Sequence, residues 1–479
     1  MTTAGHSHGL AGGNGCAKQE VNLVNPPSAP GTLANREGAA GMGVVYPSPE
    51  AFCYPPHTLA TVASSLRQAG YQVRAFDAVL GALPPAVADA DAIAVLVSYA
   101  SLDADLAFIQ GLRQQTAARL IAFGPATRFV GERILRSAPV DAVLIGEAEG
   151  FCATALRYLE GQTGSREAQA LTPQQVQSSC CDAEGLVCDL DALPFPAWEL
   201  LPYERYRLLS VFASRGCPDR CAYCPYAAAQ GHHLRTRSVE NVVAELSWLS
   251  GRFRPERLVF RDPVFAHDRE RVVAICEGIL SRRLRLPWEC ESRPEHFDAE
   301  LLRLMQRAGC QWIKIGLETT DSQLLQKLRR VGSAEEAAGY LQHVADVVQA
   351  CTNMELQCRL FVMAGLPGQG VLTARHTSEF VEQLGPTALN VKAFERYPGL
   401  DPSVAPVTVS PTSTRLEQAM TTVSPQATAD EVETQMSILQ RTRVATVQHG
   451  SSGLLARGKR WLLSRRRRRL RDLLGGRPE

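Results

Sequence analysis

Three cysteines, Cys217, Cys221 and Cys224, share the run Ser214-Arg215-Gly216-Cys217-Pro218-Asp219-Arg220-Cys221-Ala222-Tyr223-Cys224-Pro225-Tyr226. The Cys-x3-Cys-x2-Cys spacing supplies three thiolates, whereas a cubane iron–sulfur cluster normally takes four, one per iron. Three ligands on one short loop leave one iron open to something other than protein. A structural zinc site would need a closed fourth ligand. His232 and His233 follow closely and could supply it, but the paired Cys-x2-Cys knuckles of zinc modules are missing. The spacing fits a cluster.

Such a loop needs a rigid base. Leu208-Leu209-Ser210-Val211-Phe212 reads as the strand that feeds it, and further strands are expected at 257–260, 288–291, 312–315, 357–363 and 388–393. Helices are expected between them, near 239–250, 269–283, 299–308 and 333–350. Six parallel strands in βα units make a partial (β/α)6 barrel, with chemistry at the mouth formed by their carboxyl ends. Polar residues stand just past those ends: Arg261-Asp262, Glu291 with Arg293, Gly316-Leu317-Glu318, Met363-Ala364-Gly365 and Glu395-Arg396-Tyr397.

Ahead of the barrel, strand patterns at 21–24, 71–76, 92–97, 119–123 and 142–145 alternate with helices near 57–69, 104–117 and 131–137. That alternation predicts an α/β, doubly wound, Rossmann-like domain over 21–160, whose ligand crevice lies off the strands' carboxyl ends. Residues 1–20 read as a disordered tail and 161–205 as a linker. The linker ends in Leu193-Pro194-Phe195-Pro196-Ala197-Trp198, expected to lie on the next domain. The barrel spans 206–400, and 401–479 is a small helical C-terminal region. Its basic run Arg465-Arg466-Arg467-Arg468-Arg469 reads as a solvated helix.

The 479 residues are 45% hydrophobic, enough for two or three cores, and a net charge of +1 gives no overall attraction to nucleic acid or membrane. No apolar run is long enough for a transmembrane span. Fourteen cysteines without a secretory leader point to a reducing, cytoplasmic setting and to metal or free thiols.

The cysteine run resembles the cluster loop of the radical S-adenosylmethionine (SAM) superfamily. The resemblance implies a 4Fe–4S cluster on Cys217, Cys221 and Cys224, with SAM chelating the open iron. SAM needs acceptors for its ribose hydroxyls and ammonium, a cation near its carboxylate and an apolar shelf for adenine. Asp262, Glu291 and Glu318 could supply the first, Arg293 the second, and Tyr223 with Met363 the third, with Gly316 beside them. Tyr226 is a candidate to move a proton to or from substrate.

The strand ends Asn25-Pro26-Pro27, Ser98-Tyr99-Ala100-Ser101, Gly124-Pro125-Ala126-Thr127 and Gly146-Glu147, with Pro55-Pro56-His57, resemble the cobalamin-binding domain of one branch of that superfamily. Such domains commonly carry Gly-Gly where this chain has Phe123-Gly124, a departure that counts against bound cobalamin. The expectation is therefore radical loss of water from a 1,2-diol of a sugar or aminocyclitol, as in aminoglycoside-type antibiotic biosynthesis. Cobalamin-dependent C-methylation is the alternative, and a non-catalytic cluster or B12 sensor a lesser one. The resemblance also implies a flavodoxin- or ferredoxin-type electron donor, and dehydration would call for a separate NAD(P)H-dependent reductase.

Overall fold

The computed structural model describes residues 19–48, 51, 53–162, 167–400 and 429–444. The tail expected over 1–20, apart from its last two residues, and the basic run at 465–469 lie outside them.

The N-terminal domain is built from β1 (Glu20–Asn25), the hairpin β2 (Leu33–Asn35) and β3 (Val44–Tyr46), α1 (His57–Gln68), β4 (Gln72–Asp77), β5 (Ala92–Leu96), α2 (Leu102–Arg113), β6 (Arg119–Phe123), α3 (Thr127–Ser137), β7 (Ala142–Leu144), α4 (Cys152–Gly161) and β8 (Gln169–Leu171). Its sheet is parallel throughout, ordered β4-β1-β5-β6-β7-β8. Every residue of β5 is buried because helices cover both faces. The helix α1 ends at Gly70, whose φ of +99° suits a left-handed helix stop. The sequence reading closed this sheet at 142–145; β8, inside the expected linker, adds a sixth strand. Its apolar signal is a single buried Leu171 among Gln and Thr, too little to mark a strand.

The second domain runs β9 (Leu209–Val211), β10 (Ser214–Arg215), α5 (Pro225–Gln230), β11 (Arg235–Thr236), α6 (Val239–Arg252), β12 (Leu258–Phe260), α7 (Arg269–Ser281), β13 (Trp288–Ser292), α8 (Ala299–Arg307), β14 (Cys310–Glu318), α9 (Ser322–Lys327), α10 (Glu336–Met354), β15 (Gln357–Ala364), α11 (Val371–Leu384) and β16 (Ala388–Ala393). Its main sheet is ordered β9-β12-β13-β14-β15-β16, all parallel, each strand beside the next βα unit. This is the expected six-stranded partial barrel.

Strand alternation sorts its side chains. Trp288, Cys290, Ile313, Ile315, Cys358, Leu360 and Val362 join the core under the helices. Glu289, Glu291, Lys314, Arg359 and Phe361 therefore face the lumen, where Lys314 bonds Glu289 and the Arg359 guanidinium lies 4.8 Å over the Trp312 ring.

Two further segments tie the parts together. Trp198, fully buried, stands edge-on to His57 of α1, while Phe195 meets Trp248 of α6. The Pro-rich segment thus bridges both domains rather than resting on the barrel alone. The helix α12 (Ala429–Gln440) supplies the expected C-terminal helical element. Its buried Gln435 accepts from Gly365 N (2.8 Å) and donates to Gln369 O (2.9 Å), sealing the loop after β15. Among the described residues, no helix is long and apolar enough to cross a membrane.

Candidate active site

The cysteine loop is held at its base by the two-residue ribbon β10–β11, in which Ser214 faces Thr236 and Arg215 faces Arg235. Gly216 comes next with φ of +85°, and an added Cβ would stand 2.1 Å from His233 O, so only glycine fits this turn. The loop then binds its own return: Gly216 N donates to Gln230 Oε1 (3.2 Å) and Cys217 N to Gly231 O (3.1 Å). A third tie, Ala222 N to Leu328 O (3.0 Å), fastens it to the end of α9.

Cys217 is buried and Cys221 and Cys224 are half-buried. Burial, with Asp219 adding to it, pushes the Cys217 thiol up to about 12; burial raises Cys224 as well. Thiols in such surroundings become thiolates when a bound metal supplies the compensating charge. Among the described residues, no three His, Cys, Asp or Glu side chains converge as a single ion requires, and His232 and His233 are exposed. Three thiols on separate loop positions suit a cubane, whose ligands sit on different irons.

Tyr223 donates to Glu318 Oε1 at 2.8 Å. Glu318 adopts the left-handed region, φ +64°, where β14 and β15 slip register, which turns its buried carboxylate across the barrel mouth. Burial raises its pKa against the opposing pull of Arg330. Tyr223 rests on a small apolar cluster of Ala222, Leu328, Met363, Leu366 and Phe394, so the expected shelf pair is assembled. Gly316 lies beside them; a Cβ there would meet Glu318 Oε1 at 2.2 Å.

The other candidates separate. Among the described residues, the carboxylate of the half-buried Glu291 has no hydrogen-bond or ion-pair partner, and it lies near enough to Cys224 and Tyr226 to raise both. Asp262 is already engaged, accepting from Ala213 N (3.0 Å) and Ser214 Oγ (2.6 Å) at the root of the cysteine ribbon. Arg293 bonds Glu295 (2.8 Å) and Arg330 O (2.7 Å) and stands 3.5 Å from Asp219. Tyr226, on α5, packs into the core of the N-terminal domain beside Arg261.

Sequence reasoning passed over Arg330. Its guanidinium bonds Tyr340 Oη (2.8 Å) and Gly316 O (3.2 Å) and reaches to 3.9 Å from Cys221 Sγ. It lies beyond α9, far from any strand end, so no positional signal marked it. The lumen pair Lys314–Glu289 was visible in principle, as charges inside strand patterns.

The crevice off the N-terminal strands faces the barrel. Phe123 does not enter it: the ring is fully buried in the sheet core. The departure read as counting against cobalamin therefore takes no space at the strand end. Other segments do take it. Gly41 lies so close to Pro125 that a Cβ would stand 2.4 Å away, Gly43 meets Ser98 likewise at 2.3 Å, and Gly399 meets Phe129 at 2.4 Å. Tyr99 and Tyr397 meet edge-on above them. The cavity left at the junction, about 30 Å³ between Gly41, Pro125, Gly146, Arg215 and Arg261, has room for one or two waters. Among the described residues, these segments cover the strand ends in this conformation.

The two domains are joined by buried charge. Arg215 pairs with Glu149 at 2.6 Å and Glu147 at 3.4 Å, and Arg235 holds Glu147 through two bonds of 2.7 and 2.8 Å. Arg261 donates to Glu37 O and lies 3.9 Å over the Tyr54 ring.

Residues 211–376 match the model of the Radical SAM superfamily. An uncharacterized methyltransferase of Pyrococcus horikoshii is 24% identical over 286 residues, 58% of this chain and 60% of the relative. The cytidylyl-2-hydroxyethylphosphonate methyltransferase of Streptomyces wedmorensis is 21% identical over 306 residues, 55% and 56% of the two chains. The hopanoid C-3 methylase of Methylococcus capsulatus is 25% identical over 309 residues, 60% and 58%. The chain thus spans less than two thirds of the length of these relatives. In fold it is similar to the radical SAM methyltransferase TsrM of Kitasatospora setae, solved with cobalamin and a 4Fe–4S cluster. The TM-score is 0.65 at 16% identity, covering 94% of this chain and 100% of that one. It is also similar to OxsB, a cobalamin-dependent radical enzyme solved with aqua-cobalamin and SAM, with a TM-score of 0.54 at 18% identity over 76% and 52% of the chains.

Proposed function

We propose that the chain, whose residues 211–376 match the Radical SAM superfamily, cleaves SAM reductively and removes a hydrogen atom from carbon of a small polar substrate in the barrel lumen. The observation that carries this reading is the three-thiol loop at the barrel mouth, facing the Tyr223–Glu318 pair. Cys217, Cys221 and Cys224 would hold a 4Fe–4S cluster, which when bound would supply the electron for reductive cleavage of the sulfonium bond of SAM. Glu318 and Glu291 accept hydrogen bonds from SAM, Tyr223 and Met363 shelve its adenine, and Arg330, beside Cys221, offers a cation for its carboxylate. Arg293 steadies the loop through Asp219, and Asp262 anchors its root. The Lys314–Glu289 pair and Arg359 give the lumen the polarity a hydroxylated or charged substrate needs. An electron donor of flavodoxin or ferredoxin type completes the reaction.

For the outcome, the relatives favour transfer of a methyl group to carbon, since the three of them are named as methyltransferases or methylases. A corrinoid methyl carrier, as in the solved TsrM and OxsB, requires the segments around Gly41, Gly43 and Gly399 to leave the strand ends. The closed crevice favours a second reading, loss of water from a diol without a corrinoid.

The test is anaerobic reconstitution with iron and sulfide, then incubation with methyl-labelled SAM, with and without hydroxocobalamin. Wild-type protein is expected to form 5′-deoxyadenosine, and the Cys217→Ala, Cys221→Ala, Cys224→Ala triple variant to form none. SAM cleavage by the triple variant would overturn the proposal. Label in the product with retained corrinoid establishes methylation; unlabelled, dehydrated product without corrinoid establishes the second reading.

A further inference from the structure

The cysteine loop rests on a ribbon only two residues long on each side. A two-stranded ribbon of that length does not hold its shape unaided. Asp262 braces one end of it, and the charged contacts along it come from the other domain. Arg215, two residues before Cys217, is 6% exposed, and both carboxylates that pair with it, Glu147 and Glu149, are buried as well. Arg235, directly across the ribbon, grips Glu147 in a bidentate pair and also donates to Val187 O (2.6 Å) and Gln230 O (2.9 Å). Glu147 accepts in turn from Val187 N at 2.7 Å. Two carboxylates thus meet two guanidiniums, a neutral group out of water, in which loss of any member leaves an unpaired buried charge.

The carboxylates are placed by the end of β7. Gly146 turns the chain with φ of +124°, and a Cβ there would stand 2.5 Å from Gly185 O. Glu147 is therefore delivered at a fixed point, at the rim of the crevice. Gln230 continues the connection: its side chain receives Gly216 N, and its carbonyl is held by Arg235.

From this arrangement we propose that Glu147 and Glu149 are positioning residues for the cluster loop. They lock the Arg215–Arg235 ribbon so that Cys217 stands at a set distance from Cys221 and Cys224. The N-terminal domain is then part of the cluster site, whatever the crevice binds, and a displacement at the end of β7 reaches Cys217 through one ion pair. This inference rests on the proposed function in taking the three thiols as cluster ligands.

The experiment compares Glu147→Gln and Glu149→Gln with the full-length protein, reconstituted anaerobically and passed over a desalting column. It reads iron and sulfide retained per chain, the electron paramagnetic resonance spectrum of the reduced cluster with and without SAM, and melting temperature. Each Gln variant is expected to retain less than about half the wild-type iron and to lose most of the SAM-induced spectral change. Production of 5′-deoxyadenosine should fall about tenfold or more, the scale of one charged hydrogen bond. Glu149→Asp should recover part of both. Should a Gln variant fail to fold, the double change Glu149→Met, Arg215→Met removes both charges together and keeps the volume. It is expected to fold and to show the same cluster defect. Full iron and an unchanged spectral response in the folded variants overturn the assignment and leave the radical reading standing. Absence of a cluster from the unmodified protein overturns both.

Discussion

Asp262 and Glu291 carry the same sign in the sequence, an acid at or just past the end of a barrel strand, yet they do different work. Asp262 is 2% exposed and accepts from Ala213 N and Ser214 Oγ, so its carboxylate braces the strand that becomes the cysteine loop. Removing it leaves a buried backbone N–H without an acceptor, which costs about 1–3 kcal/mol. Asp262→Ala is expected to lower the unfolding free energy by that amount, read as a lower urea midpoint. The Glu291 carboxylate has no such partner among the described residues and lies near the Cys224 thiol. Glu291→Gln should leave the midpoint nearly unchanged while raising the SAM concentration for half-maximal cleavage about tenfold, the scale of one charged hydrogen bond. Equal effects of the two variants on stability would contradict this division. The sequence could nominate both acids because strand-end position is visible in it. It could not divide them, since the deciding partners, Ser214 for one and none for the other, are set by where the chain returns some fifty residues away. Arg330 shows the opposite case: its importance comes only from reaching Cys221, Gly316 and Tyr340 together.

At the scale of elements, the strands with helix-facing alternation were legible because burial on one side writes a period into the chain. The barrel strands fall within a few residues of their expected limits, and β14 runs longer, to Glu318, because its last turn is a register slip rather than a stop. Two short elements were not legible. The strand β8 and the helix α5 are three and six residues long, and each is fixed by what it docks on: β8 by β7, and α5 by the N-terminal core that receives Tyr226 and Ala229. The closed crevice was hidden for the same reason, since the contacts of Gly41 with Pro125 and of Gly399 with Phe129 bring together distant parts of the chain. Glycine positions do give a sharp test of element geometry. Gly216→Ala forces a side chain into the left-handed region, which costs about 1–2 kcal/mol, and drives its Cβ toward His233 O. The expected result is a protein that folds, melts earlier and retains little iron. Full iron retention in this variant would mean that the ribbon and loop are not coupled as described.

Over the whole molecule, the junction between the domains is a place where acid should act. His57 is enclosed between Trp198, 5.7 Å away edge-on, and Phe212 at 4.8 Å. Burial pushes its pKa well below the ordinary histidine value, and Arg215, Arg261 and Arg237 push it further. The folded protein therefore keeps His57 neutral while the unfolded chain protonates it below about pH 6.5. The unfolded state then binds more protons, so this contribution to stability is complete above pH 6.5 and is lost as pH falls. Glu147 acts in the same direction at lower pH. Burial alone would raise it, but Arg215 and Arg235 outweigh burial and hold it below the usual carboxylate value, so its contribution fades as the latch carboxylate protonates. Glu37, raised by burial at the same junction, opposes both. A single-residue comparison isolates His57 from that balance. Between pH 6.5 and 5, wild-type unfolding free energy measured in urea should fall more steeply than that of His57→Phe, by up to about 1.4 kcal/mol per pH unit, the slope of one proton. The ring contacts with Trp198 and Phe212 survive in the variant, so its stability at pH 8 should change little. Parallel pH profiles for the two proteins would show that His57 titrates freely and that the junction opens to water, contrary to the packing seen here.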